Sequence, residues 1–163
     1  MEALQENIAD NEDSMSNKYL TFLVSGEVFG IGIRHVTEII GIQPISTLPD
    51  APKYIKGIIN LRGKIIPVID MRLKFKKGNL EYTDRTCIIV AELNGRFTGL
   101  IVDSVAEVMD IGEGDISAPP DLGNGEGSRY ISGIGKVNGD VKLIIELETL
   151  LGGNVHIAAA STK

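Results

Sequence analysis

Tryptophan is absent from this chain, and Phe and Tyr together make up only 5% of its 163 residues. Proteins that bind single-stranded nucleic acid stack bases on exposed aromatic rings in a basic groove. Rings are scarce here, and a net charge of −6 argues against the basic groove. The single cysteine, Cys87, excludes an internal disulfide. It sits in Thr-Cys-Ile-Ile-Val, the pattern of a buried strand, where thiols are inert. Only two histidines occur. His156 lies in the C-terminal tail, and His35 has no Cys or Asp at metal-ligand spacing. There is no Gly-Lys-Ser/Thr phosphate loop and no Gly-x-Ser-x-Gly elbow. The glycine-rich stretch 123–127 carries Glu126 and is too loose for a phosphate cradle. No catalytic, metal or cofactor site is therefore expected. No apolar run approaches the roughly 18 residues of a membrane span, and the N-terminus lacks an apolar signal core. A cytoplasmic location is expected.

Charge is unevenly spread. Residues 1–17 contain Glu2, Glu6, Asp10, Glu12 and Asp13 but no Lys or Arg. They read as a disordered acidic tail, as residues 152–163 read as a flexible one. The body between them is close to neutral, which disfavours a broad nucleic-acid field.

What the chain does have is β-branched residues and a repeat. In the stretch from Tyr54 to Asp70, the runs Ile55–Ile59 and Ile65–Ile69 flank a turn at Leu61-Arg62-Gly63-Lys64, the pattern of a β-hairpin. The stretch from Tyr130 to Glu146 repeats it without gaps 76 residues later. Tyr54, Ile55, Gly57, Ile58, Gly63 and Ile69 have identical partners there. Asp70 meets Glu146, and both suit a cap on a following helical turn. The second copy has Asn138-Gly139 at its turn, a pair suited to two consecutive positive φ angles. The first has Arg62 in place of that Asn. Either Arg62 takes a left-handed conformation at a cost of roughly 1 kcal/mol, or it adopts an ordinary φ in another turn type. A residue that breaks a local rule without a folding reason is a functional candidate.

The preceding segment also recurs. Gly26 to Ile40 aligns with Gly95 to Met109 at an offset of 69, matching Gly26, Gly30, Val36 and Glu38 to Gly95, Gly99, Val105 and Glu107. Strands are expected at 19–24, 28–33 and 35–42; by strand alternation Val36 and Glu38 share a face of the last, as their twins Val105 and Glu107 do in the second copy. Residues 43–53 and the longer 112–129 are loops that absorb the difference between the offsets. Arg72 to Lys77 reads as a lysine-guarded edge with Leu73 and Phe75 inward. The chain is thus expected to be all-β. Two related units of about five strands, near 19–80 and 86–151, would form small barrels packed together within one domain, 18–151.

Gly57 to Arg72, with Val102-Asp103-Ser104-Val105 and Gly133-Ile134, closely resembles the signature of the CheW family of chemotaxis coupling proteins. The likeness runs from about Tyr19 to Leu151. It implies two five-stranded SH3-like β-barrels and a non-enzymatic adaptor between transmembrane chemoreceptors and the histidine kinase CheA, recruited to receptor arrays without entering the membrane. By resemblance, receptor contact falls between the barrels on Val36, Glu38, Arg62, Val102, Val105 and Val108. Kinase contact falls on Gly41, Ile42, Gln43 and Pro44. Gly57 and Gly133 match the family as backbone requirements rather than contacts. The competing class is a small barrel enzyme or nucleic-acid binder.

Overall fold

The computed structural model describes residues 16–78, 81–119 and 129–152. Most of both tails and much of the 112–129 loop lie outside these residues, so the expectations made for them do too.

Eleven strands carry the fold among the described residues. The first five are β1 (Lys18–Val24), β2 (Glu27–Gly32), β3 (Val36–Gly41), β4 (Ile55–Leu61) and β5 (Lys64–Asp70). The short helix α1 (Met71–Lys74) follows. Then come β6 (Cys87–Leu93), β7 (Arg96–Val102), β8 (Ser104–Asp110), β9 (Ile116–Ser117), β10 (Ile131–Val137) and β11 (Asp140–Ile145). The helix α2 (Leu147–Gly152) closes the order.

Four hairpins, β1–β2, β4–β5, β6–β7 and β10–β11, are built alike. Each turns on two residues with positive φ: Ser25-Gly26, Arg62-Gly63, Asn94-Gly95 and Asn138-Gly139. Such turns match the right-handed twist of the flanking strands. Arg62 has φ 52°, so the left-handed alternative is the one realised.

The repeat is visible in the backbone. Asp70 N–H donates to the Tyr54 carbonyl at 2.7 Å, and Glu146 N–H donates to that of Tyr130 at 2.7 Å. Both hairpins slip register at the same place, between Ile55 and Gly57 and between Ile131 and Gly133. The Asp70 carboxylate caps α1, accepting from the N–H groups of Arg72 and Leu73, as its place after β5 predicts.

The sheets, however, do not follow the repeat boundary. One orders as β8-β1-β2-β11-β10-β9 and the other as β3-β6-β7-β5-β4. Each therefore joins the first two strands of one repeat to the later strands of the other. The exchange is reciprocal: Gly30 stands beside Ile144 in one parallel pairing, and Gly99 beside Val68 in the other. Barrel units at 19–80 and 86–151 are thus corrected to two units that each draw on both halves. A sequence match says which residues are equivalent, not which copy they pair with.

Two further expectations change. Ile33–His35 forms a 3-10 turn, so the third strand starts at Val36. Arg72 to Lys74 is helical rather than a strand edge. Asp70 starts a helix there, and the period-2 alternation is lost.

A larger core lies between the sheets. Phe22, Phe29 and Ile31 meet Ile89, Leu100 and Met71 there, with Leu150 of α2. A second, smaller core of Ile59, Ile66, Val68, Ile88 and Val90 belongs to the five-stranded sheet alone. That sheet is curled. The chain leaving edge strand β3 reaches the opposite edge, where Ser46 exchanges backbone hydrogen bonds with Ile58 of β4 at 2.9 and 2.8 Å. In the other sheet, β9 follows edge strand β8 and pairs with β10 through Ser117 and Ile134. Ile45-Ser46 and Ile116-Ser117 are thus a third piece of the repeat. Gly57 and Gly133 let these segments approach. A Cβ on Gly57, at φ +148°, would overlap the Ser46 carbonyl, and one on Gly133 would lie 2.6 Å from Ile116 Cγ2.

Candidate functional site

The expected contact residues centre on β3 and β8, which are repeat equivalents and the edge strands of the two sheets. Val36 opposes Ala91 on β6, while Glu38 opposes Val90, because the register slips between them. Opposed residues of an antiparallel pair point the same way, so this bulge turns Glu38 to the other face of β3. Thr37 takes the extra position and donates its hydroxyl to the Val90 carbonyl at 3.0 Å. The expectation that Val36 and Glu38 share a face is therefore corrected.

Val36 and Ile39 look toward the core between the sheets, since their partners Ala91 and Ile89 belong to it. A matching slip in β8 puts Val105 opposite Phe22 and Val108 opposite Leu20, again on the intersheet face. Val36 and Val105 are half-buried against that core, while Ile39 and Val108 are 45% and 49% exposed. The result is two equivalent apolar pairs along the junction. Ile39 escaped the sequence reading, although its offset of 69 from Val108 could have revealed it.

Val102 does not join this surface. It is 1% exposed inside the intersheet core, opposite Cys87. Its side chain anchors β7 and is corrected from a contact to a core residue.

Glu38 is met by Arg62. From its left-handed position at the tip of the β4–β5 hairpin, the exposed Arg62 guanidinium pairs with the Glu38 carboxylate. The pair spans the two edges of the curled sheet. Asn60 holds the tip by accepting from the Gly63 N–H at 2.8 Å. The guanidinium keeps donors that the single Glu38 oxygen does not use.

The second set lies at the far end of β3. Gly41 opposes Cys87. Burial pushes the Cys87 thiol up, opposed in part by the Val105 backbone against it. The two sets therefore adjoin at Cys87 rather than lying on unrelated faces. Beyond Gly41, exposed Ile42 and Pro44 lead away toward Ser46, with Gln43 half-buried.

A polar clasp backs the junction. Arg72 of α1 donates twice to Asp103, at 2.7 and 2.6 Å, and Asp103 also accepts from the Ser25 N–H at 2.8 Å. Burial pushes the Asp103 carboxyl up, but the Arg72 hydrogen bond, the Ser25 amide and the Arg72 charge together bring it below its usual range. The hydrogen bond to Asp103 also leads in raising Arg72. Tyr82 donates its hydroxyl to Asp70 at 2.9 Å, and burial followed by the Asp70 charge raises the phenol. Lys74 places its ammonium 3.8 Å from the ring centre of Tyr54 and 4.8 Å from that of its twin Tyr130.

Among the described residues, no three His, Cys, Asp or Glu side chains gather as metal ligands. No helix there is long and apolar enough to cross a membrane.

This arrangement can bind through apolar edges flanked by an ion pair. Residues 18–154 match the family described as the CheW-like domain. The chain is 31% identical over 139 residues to a chemotaxis protein CheW of Klebsiella aerogenes, covering 85% of this chain and 84% of that one. It is 34% identical over 110 residues to a chemotaxis protein CheW of Bacillus subtilis, covering 68% and 70%. Its structure is similar to that of the scaffolding protein TtCheW from Thermoanaerobacter tengcongensis. The TM-score is 0.76 and the identity 38%, covering 84% of this chain and 88% of that one.

Proposed function

This chain belongs to the CheW family of chemotaxis scaffold proteins, and from that premise we propose that it is a non-enzymatic adaptor coupling transmembrane chemoreceptors to the histidine kinase CheA. The receptor contributes a helical tip, taken up in the helix-in-groove mode. Val36, Ile39, Val105 and Val108 supply the apolar contacts. Arg62, steered by Glu38, supplies the polar anchor, in keeping with the enrichment of Arg at binding hot spots. The regulatory domain of the kinase docks on Gly41, Ile42, Gln43 and Pro44. The protein reaches the membrane through its receptors and does not insert.

The observation that carries this reading is Arg62 itself. It occupies a backbone conformation unfavourable for arginine, at a tip where its twin has Asn, and is ion-paired to Glu38 of the edge strand β3. Because the two contact sets adjoin at Cys87, occupancy of one changes the other by a coupling free energy, typically 1–3 kcal/mol. Arg62→Ala tests the anchor. It is expected to reduce receptor-dependent control of the kinase severalfold while the fold stays intact, and unchanged control would count against the role.

A further inference from the structure

Thr21 is a buried polar residue that takes no part in the contacts described above. It is 1% exposed in the middle of β1, and its neighbours Leu20 and Phe22 belong to the intersheet core. The ladder between β1 and β8 passes over it. Leu20 opposes Val108 and Phe22 opposes Val105, so two steps along β1 meet three along β8. Three residues apart on a regular strand, Val105 and Val108 would point to opposite faces. The extra residue of the bulge brings both to the intersheet face.

The bulge takes the Glu107 backbone out of the ladder, and backbone groups left out of a ladder need other partners. Thr21 supplies both. Its hydroxyl donates to the Glu107 carbonyl at 2.8 Å and accepts from the Glu107 N–H at 3.2 Å. The other repeat meets the same need from the opposite strand. The offset of 69 equates Thr21 with Val90 and Ala106 with Thr37. There the extra residue itself, Thr37, donates to the Val90 carbonyl, and the facing side chain is apolar. Each bulge thus holds one threonine, on the edge strand β3 in one case and on the inner strand β1 in the other.

We propose that Thr21 is a positioning residue for receptor binding, a role that rests on the adaptor reading: its hydroxyl holds the β8 bulge that sets Val105 and Val108 on one face. Without the hydroxyl, Glu107 regains ladder partners if β8 slides by one residue past β1. Such a slide turns one of the two valines away from the junction.

Thr21→Val, which keeps the shape but not the hydroxyl, tests this beside Thr21→Ser, which keeps the hydroxyl. A third variant joins Thr21→Val to Ala106→Thr and so rebuilds the arrangement found at β3. Affinities are measured for a chemoreceptor tip fragment and for the CheA regulatory domain, and exchange of the Glu107 amide is followed by NMR. Thr21→Val is expected to bind the tip about tenfold more weakly while its affinity for the kinase domain is unchanged. Its Glu107 amide should exchange about tenfold faster. Thr21→Ser and the double variant should recover the tip affinity to within about twofold. Equal loss of both affinities in Thr21→Val, the mark of a general defect in the fold, would overturn the proposal. So would undiminished tip binding by Thr21→Val, or a folded double variant that still binds the tip weakly, a comparison that holds even where Thr21→Val alone does not fold. A wild-type chain that binds no tip would overturn the adaptor reading, and the role of Thr21 with it.

Discussion

Arg62 and Gly57 show how a single backbone angle separates folding from function. The φ of 52° at Arg62 is easier for Asn, the residue of the twin hairpin. Arg62→Asn is therefore expected to raise stability by up to about 1 kcal/mol while weakening receptor coupling, a trade common at functional positions. Thermal melts paired with a coupled kinase assay check both parts. Gly57 and Gly63 both have positive φ, but only a Cβ on Gly57 would meet the Ser46 carbonyl; open space surrounds Gly63. Gly63→Ala is expected to cost about 1 kcal/mol, and Gly57→Ala well over 2 kcal/mol or soluble expression altogether. Chemical denaturation orders the two. The functional candidacy of Arg62 was legible because its twin supplied a contrast. The burial of Val102 was not, because its place rested on likeness to a family signature, which does not report which way a side chain points.

The elements show which patterns survive without coordinates. Hairpins were legible because Gly after Ser, Asn or Arg between β-branched runs admits few alternatives. Bulges were not, since nothing in Val36-Thr-Glu38 marks the extra residue that turns Glu38 to the other face. Ile45-Ser46 and Ile116-Ser117 went unseen because their spacing of 71 matches neither of the two longer alignments. The clasp between α1 and the β7–β8 connection yields a prediction of its own. The Asp103 carboxyl titrates below its usual range in the folded chain. Its stabilising contribution is thus fully present above the unfolded pKa of about 3.9 and is lost as pH falls through the lower folded value. Asp103→Asn should cost about 1–2 kcal/mol near neutrality, and the difference from wild type should shrink below about pH 4. Denaturant titrations at pH 7 and pH 3 measure it.

At the scale of the whole molecule, the reciprocal exchange of strands makes each repeat depend on the other. The repeat and the all-β class could be read from spacing, but the exchange could not, because either pairing satisfies the same hydrophobic pattern. Neither β1–β2 nor β6–β7 finds its sheet within its own repeat, so the chain is expected to unfold in one cooperative transition. Residues 18–83 expressed alone should show no stable sheet by circular dichroism. The same interleaving leaves β3 and β8 as sheet edges that each reach Cys87 of β6, β3 through Gly41 and β8 through Val105, and with them the apolar pairs and the surface beyond Gly41. The most direct test of the adaptor reading is titration calorimetry of this chain and two variants against a chemoreceptor tip fragment and, separately, the CheA regulatory domain. Binding to both is expected at micromolar concentration or better. Arg62→Ala should weaken the receptor arm about tenfold and Ile42→Asp the kinase arm, each sparing the other. Absence of binding to either partner at that concentration would contradict the account.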